Sequence, residues 1–266
     1  MRRFFVDPSA VKEDRIEICD KGDLRHLARV LRMKPGDQLM VSDSSAWEYR
    51  IVLEEISGEA AVGRILDKQA FGREPSVRVT LYQAAPKQGK MELIIQKTTE
   101  LGAERIVPML TRRTLAADKG AFRNKRERWQ KVADEAGKQC GRGRLPEVAG
   151  VLAFQEVLGE LKTTAYDLVL FLYENEEKTT IKEALRRFSK ERREKPGTGV
   201  GAGAGTGEPE KGPAVALLVG PEGGFSEEEA ELLKACAVSV SLGRTVLRTE
   251  TAGMAALAMV MYELEL

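Results

Sequence analysis

The sequence predicts an α/β protein in which a small, β-rich N-terminal domain precedes a larger domain built on a mainly parallel sheet. Two patterns along the chain lead to this prediction. Up to about Gly72, short apolar runs alternate with turn residues, which is typical of closely connected strands. From residue 73 onward, longer apolar runs alternate with helical periodicities, which is typical of parallel strands linked by helices. The predicted domains are therefore residues 1–72 and 73–266.

The first domain is expected to contain five strands and one helix. The strands are predicted over 4–6, 16–18, 38–41, 49–53 and 60–65. The helix is predicted over 23–33, because its apolar residues share one side of a helical wheel and its arginines share a neighbouring side. The helix can therefore bury one stripe, made of Leu24, Leu27, Ala28 and Leu31, and offer three guanidiniums, those of Arg25, Arg29 and Arg32.

The second domain is expected to alternate strands with helices. The predicted strands are 77–84, 105–109, 166–173, 214–219 and 237–241, and the predicted helices are 87–101, 124–140, 180–188, 227–236 and 252–262. Residues 195–213 are rich in glycine and lack periodicity, so a flexible surface insertion is expected there. Its Gly-x-Gly spacing is not interpreted as a nucleotide site, because no strand directly precedes it and no helix opens from it.

Composition excludes several classes of site. The 42 basic and 41 acidic side chains nearly cancel, so any basic surface must come from uneven placement. His26 is the only histidine and the three cysteines are widely spread, so no metal site or Ser-His-Asp triad is expected. The longest uncharged apolar stretch, 251–262, is shorter than the roughly 20 residues of a membrane span. Because no apolar signal region precedes Asp7 and Pro8, a cytoplasmic protein without a membrane partner is expected.

Two successive strands of the second domain run into glycine-bearing loops. Strand 214–219 leads into Gly220, after which Ser226 and Glu229 form a capping box that opens a helix. Strand 237–241 leads into a loop with Gly243. In an open α/β sheet both loops lie at the carboxyl edge of the strands, where ligands bind. Acidic residues 227–229 in the first helical turn argue against a phosphate ligand.

These loops carry the most specific motifs of the chain, Leu-Val-Gly-Pro-Glu-Gly-Gly-Phe-Ser over 218–226 and Leu-Gly-Arg-Thr-Val-Leu-Arg-Thr-Glu-Thr-Ala over 242–252. Together they resemble the RsmE family of 16S ribosomal RNA uracil-N3 methyltransferases, which is part of the SPOUT class. The similarity extends to 90–103, 135–142, 3–5 and 26–32, followed by Gly36-Asp37. It therefore covers both domains and leaves out only the glycine-rich insertion.

The resemblance implies a fold that periodicity does not predict. It implies a C-terminal SPOUT domain with a deep trefoil knot, a PUA-like N-terminal domain, a homodimer and the cofactor S-adenosyl-L-methionine (SAM). Three strand ends would then bind the cofactor, mostly through backbone groups. The residues at these positions are Leu172, Tyr173, Gly220, Pro221, Glu222, Gly223, Gly224, Leu242, Gly243, Val246 and Leu247.

Methylation of uracil N3 requires removal of a weakly acidic proton and stabilisation of the resulting anion. Arg248 is the first candidate for stabilising that charge, because it lies between the second loop and the next helix. Glu222, Glu250 or water could accept the proton. The competing interpretation is structural: Glu250 suits the first turn of the last helix, and Arg248 could pair with it.

The expected partner is 16S rRNA or the small ribosomal subunit. RNA contacts are predicted from clustered basic residues, because phosphate binding requires local rather than net charge. These residues, with His26 as a possible stacking residue, are Arg2, Arg3, Arg25, Arg29, Arg32, Lys90, Lys97 and Arg142. Two other functions stay open: a SPOUT methyltransferase acting on a ribose hydroxyl or on tRNA, and a non-catalytic RNA-binding assembly factor.

Overall fold

The computed structural model describes residues 3–45, 47–70, 74–87, 89–114, 122, 124–194 and 212–265. Arg2 and residues 195–211 of the predicted insertion lie outside this part, as do residues 71–73 around the predicted domain boundary. The described chain divides into two compact units. The first contains residues 3–74 together with 137–145, and the second contains 75–136, 146–194 and 212–265.

The first unit is built on a five-stranded sheet of described residues. Its strands are β1 (Arg3–Phe5), β2 (Arg15–Ile18), β3 (Gln38–Ser42), β4 (Trp47–Ile56) and β5 (Ala61–Ala70), in the order β1-β3-β4-β5-β2. Each contains or overlaps one of the five predicted strands. The pair β1 and β3 is parallel, and the other pairs are antiparallel. Isoleucine, leucine and valine side chains from these strands form a core of their own.

The helix of the first unit is less regular than the sequence predicts. It consists of α1 (Lys21–Arg25) and a following π-helical turn, His26–Val30. A hydrogen bond of 2.9 Å from the Leu31 N–H to the carbonyl of His26, five residues back, closes this turn. The wider turn changes the phase of the later side chains relative to an α-helix. Leu27 is therefore buried as predicted, whereas Ala28 is exposed and its predicted burial is wrong.

The segment Gly137–Leu145 is anchored within the first unit although it lies between elements of the second in sequence. The carboxylate of Glu74 accepts the backbone N–H groups of Gly143 at 2.6 Å and Arg144 at 3.0 Å. The hydroxyl of Ser42 donates to the carbonyl of Gly143 at 2.5 Å. These internal hydrogen bonds join strand β3 to a segment about a hundred residues later, which local sequence patterns do not predict.

The second unit is built on a parallel sheet, as predicted. Its strands are β6 (Arg78–Ala84), β7 (Arg105–Leu110), β8 (Glu147–Val148), β9 (Leu152–Ala153), β10 (Leu168–Leu172), β11 (Ala214–Val219) and β12 (Val238–Val240). The order is β12-β10-β11-β6-β7-β8, with β9 also on β7. All the described pairs in this sheet are parallel.

Helices cover this sheet. They are α2 (Met91–Glu100), α3 (Arg126–Cys140), α4 (Phe154–Thr163), α5 (Ile181–Glu194), α6 (Glu227–Lys234) and α7 (Thr249–Leu264). Helix α2 begins later than predicted, because Gly89 adopts a φ of +72° that a right-handed helix excludes. Helix α4 was not predicted, although its buried residues recur at helical spacing. None of the described helices combines the length and apolar character needed to cross a membrane.

The C-terminal helix returns across the sheet. β12 lies at the edge beside β10, yet α7 packs against β11 and β6 and against α2. The chain between β12 and α7 must therefore cross the ends of β10 and β11. This return path is consistent with the knot that the resemblance implies, and it places the start of α7 next to the strand ends.

A half-buried cluster of charged and polar side chains stabilises the second unit. Glu160 of α4 accepts a hydrogen bond of 2.7 Å from the hydroxyl of Tyr82 and forms an ion pair with Arg105. Burial opposes ionisation of Glu160, but the hydrogen bonds from Arg105 and Tyr82 outweigh it and lower the pKa of this carboxyl. Glu147 also contacts Arg105, at 3.3 Å, but its side chain is 57% exposed.

We expect Glu160→Gln to lower the free energy of unfolding by about 1–3 kcal/mol, because a charge-assisted hydrogen bond is lost inside the unit. The matched variant Glu147→Gln should cost less than about 1 kcal/mol, since its pair with Arg105 is exposed. Because the folded-state pKa of Glu160 is lowered, the effect should be full above the ordinary value of 4.5 and disappear as the pH falls below it. Urea unfolding at several pH values measures both variants. Equal losses of unfolding free energy in the two variants would contradict the stabilising role assigned to Glu160.

Candidate active site

Three parallel strands end side by side at one edge of the sheet in the second unit. β10 lies between β12 and β11, and Leu172 is in register with Val219 of β11 and with Val240 of β12. Because the strands are parallel, the loops after them leave the sheet at the same carboxyl edge. A cavity of about 590 Å³ opens among these loops. That volume lies within the range of about 300–1,000 Å³ typical of small-molecule sites.

All the residues predicted to bind the cofactor line this cavity. They are Leu172, Tyr173, Gly220, Pro221, Glu222, Gly223, Gly224, Leu242, Gly243, Val246 and Leu247. Their side chains and backbone come from the loops after β10, β11 and β12, which are far apart in sequence. The fold thus brings three separate loops around one space.

The loop over residues 220–224 requires glycine at defined positions. Gly224 has a φ of +67°, in the left-handed region, and its N–H donates to the carbonyl of Pro221 at 2.9 Å. A Cβ at Gly224 would lie 1.8 Å from Oε1 of Glu174. A Cβ at Gly220 would lie 3.2 Å from the backbone of Gly224, whereas Gly223 has ordinary space around it. The left-handed backbone at 224 therefore favours glycine, and a side chain at 220 would push the turn open by a few tenths of an ångström.

The helix after this loop already has its first N–H groups satisfied. Ser226 and Glu229 form the predicted capping box, with distances of 3.2 Å from the Glu229 N–H to the Ser226 hydroxyl and 2.9 Å from the Ser226 N–H to the Glu229 carboxylate. The other oxygen of Glu229 accepts the N–H of Arg112 at 2.7 Å. A carboxylate of the chain itself thus occupies the anion-binding end of α6.

The first residues of α7 place charged groups at the cavity wall. Lys90 donates to Oε1 of Glu250 at 2.7 Å, and this hydrogen bond lowers the pKa of the Glu250 carboxyl. Oε2 of Glu250 is buried and has no hydrogen-bond partner in the described chain. Arg248 is exposed at the same wall, and the ion pair of Glu250 is formed with Lys90 rather than with Arg248. The direct ion pair between Arg248 and Glu250 that the sequence left open is therefore not formed, although the charge of Arg248 also helps to lower the pKa of Glu250.

Glu222, the other candidate proton acceptor, has a backbone partner. Its Oε1 accepts the N–H of Lys87 at 2.9 Å, which ties the loop after β11 to the segment before α2. This contact is exposed. Of the two carboxylates, only Glu250 has an oxygen that is both buried and without a partner in the described chain.

Comparison with known proteins shows to which family this chain belongs. A family model described as an RNA methyltransferase domain matches residues 73–261, and one described as an RNA methyltransferase PUA domain matches residues 18–66. The chain is 31% identical over 270 residues to ribosomal RNA small subunit methyltransferase E of Bacillus subtilis, covering 100% of this chain and 98% of that protein. The chain belongs to the RsmE family of ribosomal RNA methyltransferases.

Further members and solved structures agree with this membership. The Mycobacterium tuberculosis member of the RsmE family is 33% identical, over 97% of this chain and 90% of its own length. A Legionella pneumophila structure, described as a methyltransferase in complex with the bound cofactor SAM, superimposes with a TM-score of 0.73 at 29% identity, covering 98% of this chain and 96% of that chain. A Neisseria gonorrhoeae RsmE structure has the same fold, with a TM-score of 0.75 at 24% identity, covering 98% and 97% of the two chains.

The basic residues predicted to bind RNA in this RsmE chain fall into two groups. Arg25 and Arg29 are exposed on the helix of the first unit, whereas Arg32 is exposed just after it: the helix ends at Val30, short of the predicted Met33, and Arg32 has a φ of +51° that a helix excludes. The partly buried His26 packs edge-on against Phe4 at 6.1 Å between ring centroids. The remaining described residues are engaged within their own unit. Arg3 donates to the carbonyl of Arg142 and pairs with Glu48, Arg142 pairs with Glu74, Lys90 pairs with Glu250, and Lys97 pairs with Glu100.

These pairings reassign several predicted residues. The side chain of Arg142 is only 7% exposed, and its guanidinium lies 2.9 Å from the Glu74 carboxylate, so it cannot present a free charge to RNA. Arg3 is likewise turned into the first unit. Both guanidiniums are thus held inside the first unit. Lys90 belongs to the cavity wall.

Sequence reasoning missed two residues that hold the cavity loops. Arg113, in the loop after β7, donates to the carbonyls of Gly223 at 2.7 Å and Phe225 at 3.2 Å. Glu174, after β10, lies against the Cα of Gly224. Both follow strands of the parallel sheet, so the rule that strand ends share the carboxyl edge was a usable signal for them.

Proposed function

We propose that the protein transfers a methyl group from SAM to N3 of a uridine in 16S rRNA of the small ribosomal subunit. The observation that carries this proposal is the single cavity in which the 220–224 and 242–247 loops of an RsmE chain meet an exposed arginine, Arg248. Membership of the RsmE family supports the ribosomal RNA substrate and the cofactor, and the choice of N3 rests on the family resemblance.

The residues around the cavity fit SAM. The glycine turn allows backbone N–H and C=O groups to approach a ligand, and apolar residues such as Leu172, Leu242 and Leu247 offer a surface for an adenine ring. The backbone of 220–224 and 242–247 would hold the cofactor. When bound, SAM would supply a methyl group carried on a sulfonium; as that methyl carbon bonds to N3, its bond to sulfur breaks and the sulfonium becomes a neutral thioether.

The chain's own task is to prepare the uracil. Arg248 would place its guanidinium against the uracil oxygens and stabilise the negative charge that develops as the N3 proton leaves. Glu250 is the proton acceptor that we favour, because Lys90 keeps it ionised and its Oε2 has no other partner in the described chain. Glu222 is engaged with a backbone N–H and is therefore assigned to positioning.

Replacing the proposed proton acceptor should slow methylation in a pH-dependent way. We expect Glu250→Gln to lower the single-turnover rate by about 100-fold at neutral pH, the usual size of general base catalysis. The loss should shrink as the pH rises, because solvent then removes the N3 proton. Glu222→Gln is the matched variant and should change the rate by less than about threefold. A pH-independent loss in Glu250→Gln would contradict proton transfer to this residue.

The direct test of the function is the modified nucleoside itself. Ribosomal RNA from a strain lacking the protein should lack one N3-methyluridine in 16S rRNA, and the purified protein with SAM should restore it, as measured by mass spectrometry. A 2′-O-methyl product or a methylated tRNA would overturn the proposed target. Absence of SAM binding in calorimetry would instead favour a non-catalytic assembly factor.

We propose that Arg25, Arg29 and Arg32 bind rRNA phosphates. The variant Arg25→Glu/Arg29→Glu should weaken rRNA binding by more than about tenfold and reduce the slope of log affinity against log salt by about 0.7–0.9 per lost phosphate contact. The control Arg15→Glu/Arg50→Glu makes the same charge change on the same unit at exposed arginines paired with Glu54 and Asp67. Filter binding over a salt series measures both. Equal losses of rRNA affinity in the two double variants would mean that net charge, and not the position of these arginines, accounts for the effect.

We also propose that the protein acts as a homodimer in the cytoplasm. Large apolar side chains are exposed on α2 and α7, which pack against each other: Leu93 is 45%, Met259 37% and Tyr262 71% exposed. A second copy would cover this surface. Light scattering should give twice the chain mass of 29.4 kDa, and Tyr262→Asp should shift the mass towards one chain.

A further inference from the structure

A buried hydrogen-bond chain connects the two cavity loops beneath their surface. Gln83, near the end of β6, is completely buried, and Thr249, the first residue of α7, is 4% exposed. Nε2 of Gln83 lies 2.9 Å from Oγ1 of Thr249, and Oγ1 lies 2.6 Å from the carbonyl oxygen of Gly220. Gly220 opens the loop after β11, whereas Thr249 closes the loop after β12.

The chemistry of these groups fixes the direction of each hydrogen bond. The Gly220 carbonyl can only accept, so the single hydroxyl proton of Thr249 must point towards it. The hydroxyl therefore accepts from Gln83, which requires the NH₂ group of the amide to face Thr249. The amide oxygen of Gln83 then points the other way, where it is buried and has no hydrogen-bond partner in the described chain.

That partnerless oxygen is a destabilising contribution at this position. A buried acceptor without a partner destabilises the folded state, and an apolar side chain of similar size would avoid this cost. The oxygen faces α7 at Gly253, where a Cβ would lie 3.0 Å from it. What Gln83 does supply is its NH₂ group, which donates to Thr249 at 2.9 Å and to the neighbouring carbonyl of Ala84 at 3.2 Å.

Thr249 stands between the two residues proposed for catalysis. Arg248 precedes it and Glu250 follows it, and the backbone of this turn begins α7. A rotation of α7 about its axis would move Arg248 and Glu250 relative to the 220–224 loop. The hydroxyl bond to Gly220 resists this movement, because it ties the first residue of α7 directly to the first residue of that loop.

We propose that Gln83 and Thr249 are positioning residues for methyl transfer: they hold the two cofactor loops in register and so fix Arg248 and Glu250 against the cavity. This inference rests on the proposed function. Gln83 itself does not line the cavity, so it acts only through Thr249.

The test compares Thr249→Val, which keeps the shape of the side chain and removes the hydroxyl, with Thr249→Ser, which keeps the hydroxyl. Thr98→Val is the matched control, because Thr98 is also completely buried and donates its hydroxyl at 2.7 Å, but to Ile94 within α2. Calorimetry with SAM, thermal unfolding, single-turnover methylation and hydrogen exchange of the amides over 220–226 and 249–252 are measured on the full chain.

We expect Thr249→Val to weaken SAM binding at least tenfold and to speed amide exchange in both segments. Thr249→Ser should stay within threefold of the original protein in affinity. Thr98→Val should lower the melting temperature by about as much as Thr249→Val does. It should leave both the SAM affinity and the amide exchange of the two segments unchanged. Gln83→Leu should lower the melting temperature less than Thr249→Val does, because it removes the partnerless oxygen together with the two hydrogen bonds of the amide, while its SAM affinity falls.

Two results would overturn the proposal: equal SAM affinity in Thr249→Val and Thr98→Val, or a Thr249→Ser variant as impaired as Thr249→Val. Failure of the proposed function is a separate outcome. If the original protein makes no N3-methyluridine, that function is wrong. Amide exchange without cofactor then decides the positioning role alone: faster exchange of both segments in Thr249→Val than in Thr98→Val supports it, and equal exchange refutes it.

Discussion

Arg248→Ala is expected to lower the single-turnover rate of uridine methylation by about 100- to 1,000-fold, the usual loss when a group that stabilises a developing anion is removed. The affinity for SAM should change by less than about threefold, because the loops contact the cofactor mainly through backbone groups. The guanidinium is exposed at the cavity wall, and Glu250 is already paired with Lys90. Its charge is therefore available to a substrate.

Two further variants sharpen this experiment. Arg248→Lys keeps the charge but loses the planar, bidentate geometry of the guanidinium. Its methylation rate should therefore lie between that of the original protein and that of Arg248→Ala. Arg244→Ala removes another exposed arginine from the same loop and should retain most of the activity. A rate in Arg248→Ala within threefold of the original would remove the electrostatic role from this residue, and an equal loss in Arg244→Ala would mean that any positive charge in the loop suffices.

Gly224→Ala should abolish most SAM binding. The left-handed backbone costs a residue with a Cβ about 1–2 kcal/mol, and the new Cβ would also overlap the Glu174 carboxylate, which lies 1.8 Å away. The exposed Glu174 side chain can swing away from the new Cβ, but the backbone strain at a φ of +67° is relieved only if the loop opens, which moves the backbone groups that line the cavity. We expect an affinity loss of more than about tenfold, corresponding to about 1.4 kcal/mol or more.

Gly223→Ala is the control for this variant, because the nearest atom to its Cβ would be 3.5 Å away and its φ is not in the left-handed region. It should bind SAM normally. Adding Glu174→Ala to Gly224→Ala removes the overlap but not the backbone strain, so affinity should return only in part. Calorimetry and circular dichroism on all three proteins separate a loop effect from unfolding; normal binding by Gly224→Ala would show that the turn is not needed.

The two cavity loops were predictable because their signals are local. A buried strand, a glycine turn and a capping box occur within a few residues of one another, and parallel strands place such loops at one edge. The partners of the charged residues were not predictable in this way. Lys90 contributes to the cavity wall through Glu250, 160 positions later, and Arg142 is neutralised by Glu74, 68 positions earlier. Nothing in the local pattern distinguishes such lysines and arginines from exposed ones.

The helix of the first unit illustrates a different limit. A helical wheel assumes 3.6 residues per turn, and the π turn at His26–Val30 breaks that assumption after α1. Leu24 and Leu27, before or at the start of the change, are buried as predicted, whereas Ala28 is not. Helix α4 was missed although its apolar residues recur at regular helical spacing. The two strands before it, β8 and β9, have only two residues each, so the sequence pattern does not mark where the helix begins.

The nine residues of Gly137–Leu145 make the first unit discontinuous in the gene. A fragment that stops after Glu74 would retain the carboxylate but lose the backbone N–H groups and the guanidinium that it binds. A single fusion after Glu74 would therefore transfer the first unit without nine of its residues and without the partners of this carboxylate. Recombination that keeps this unit intact must preserve two separate stretches of coding sequence.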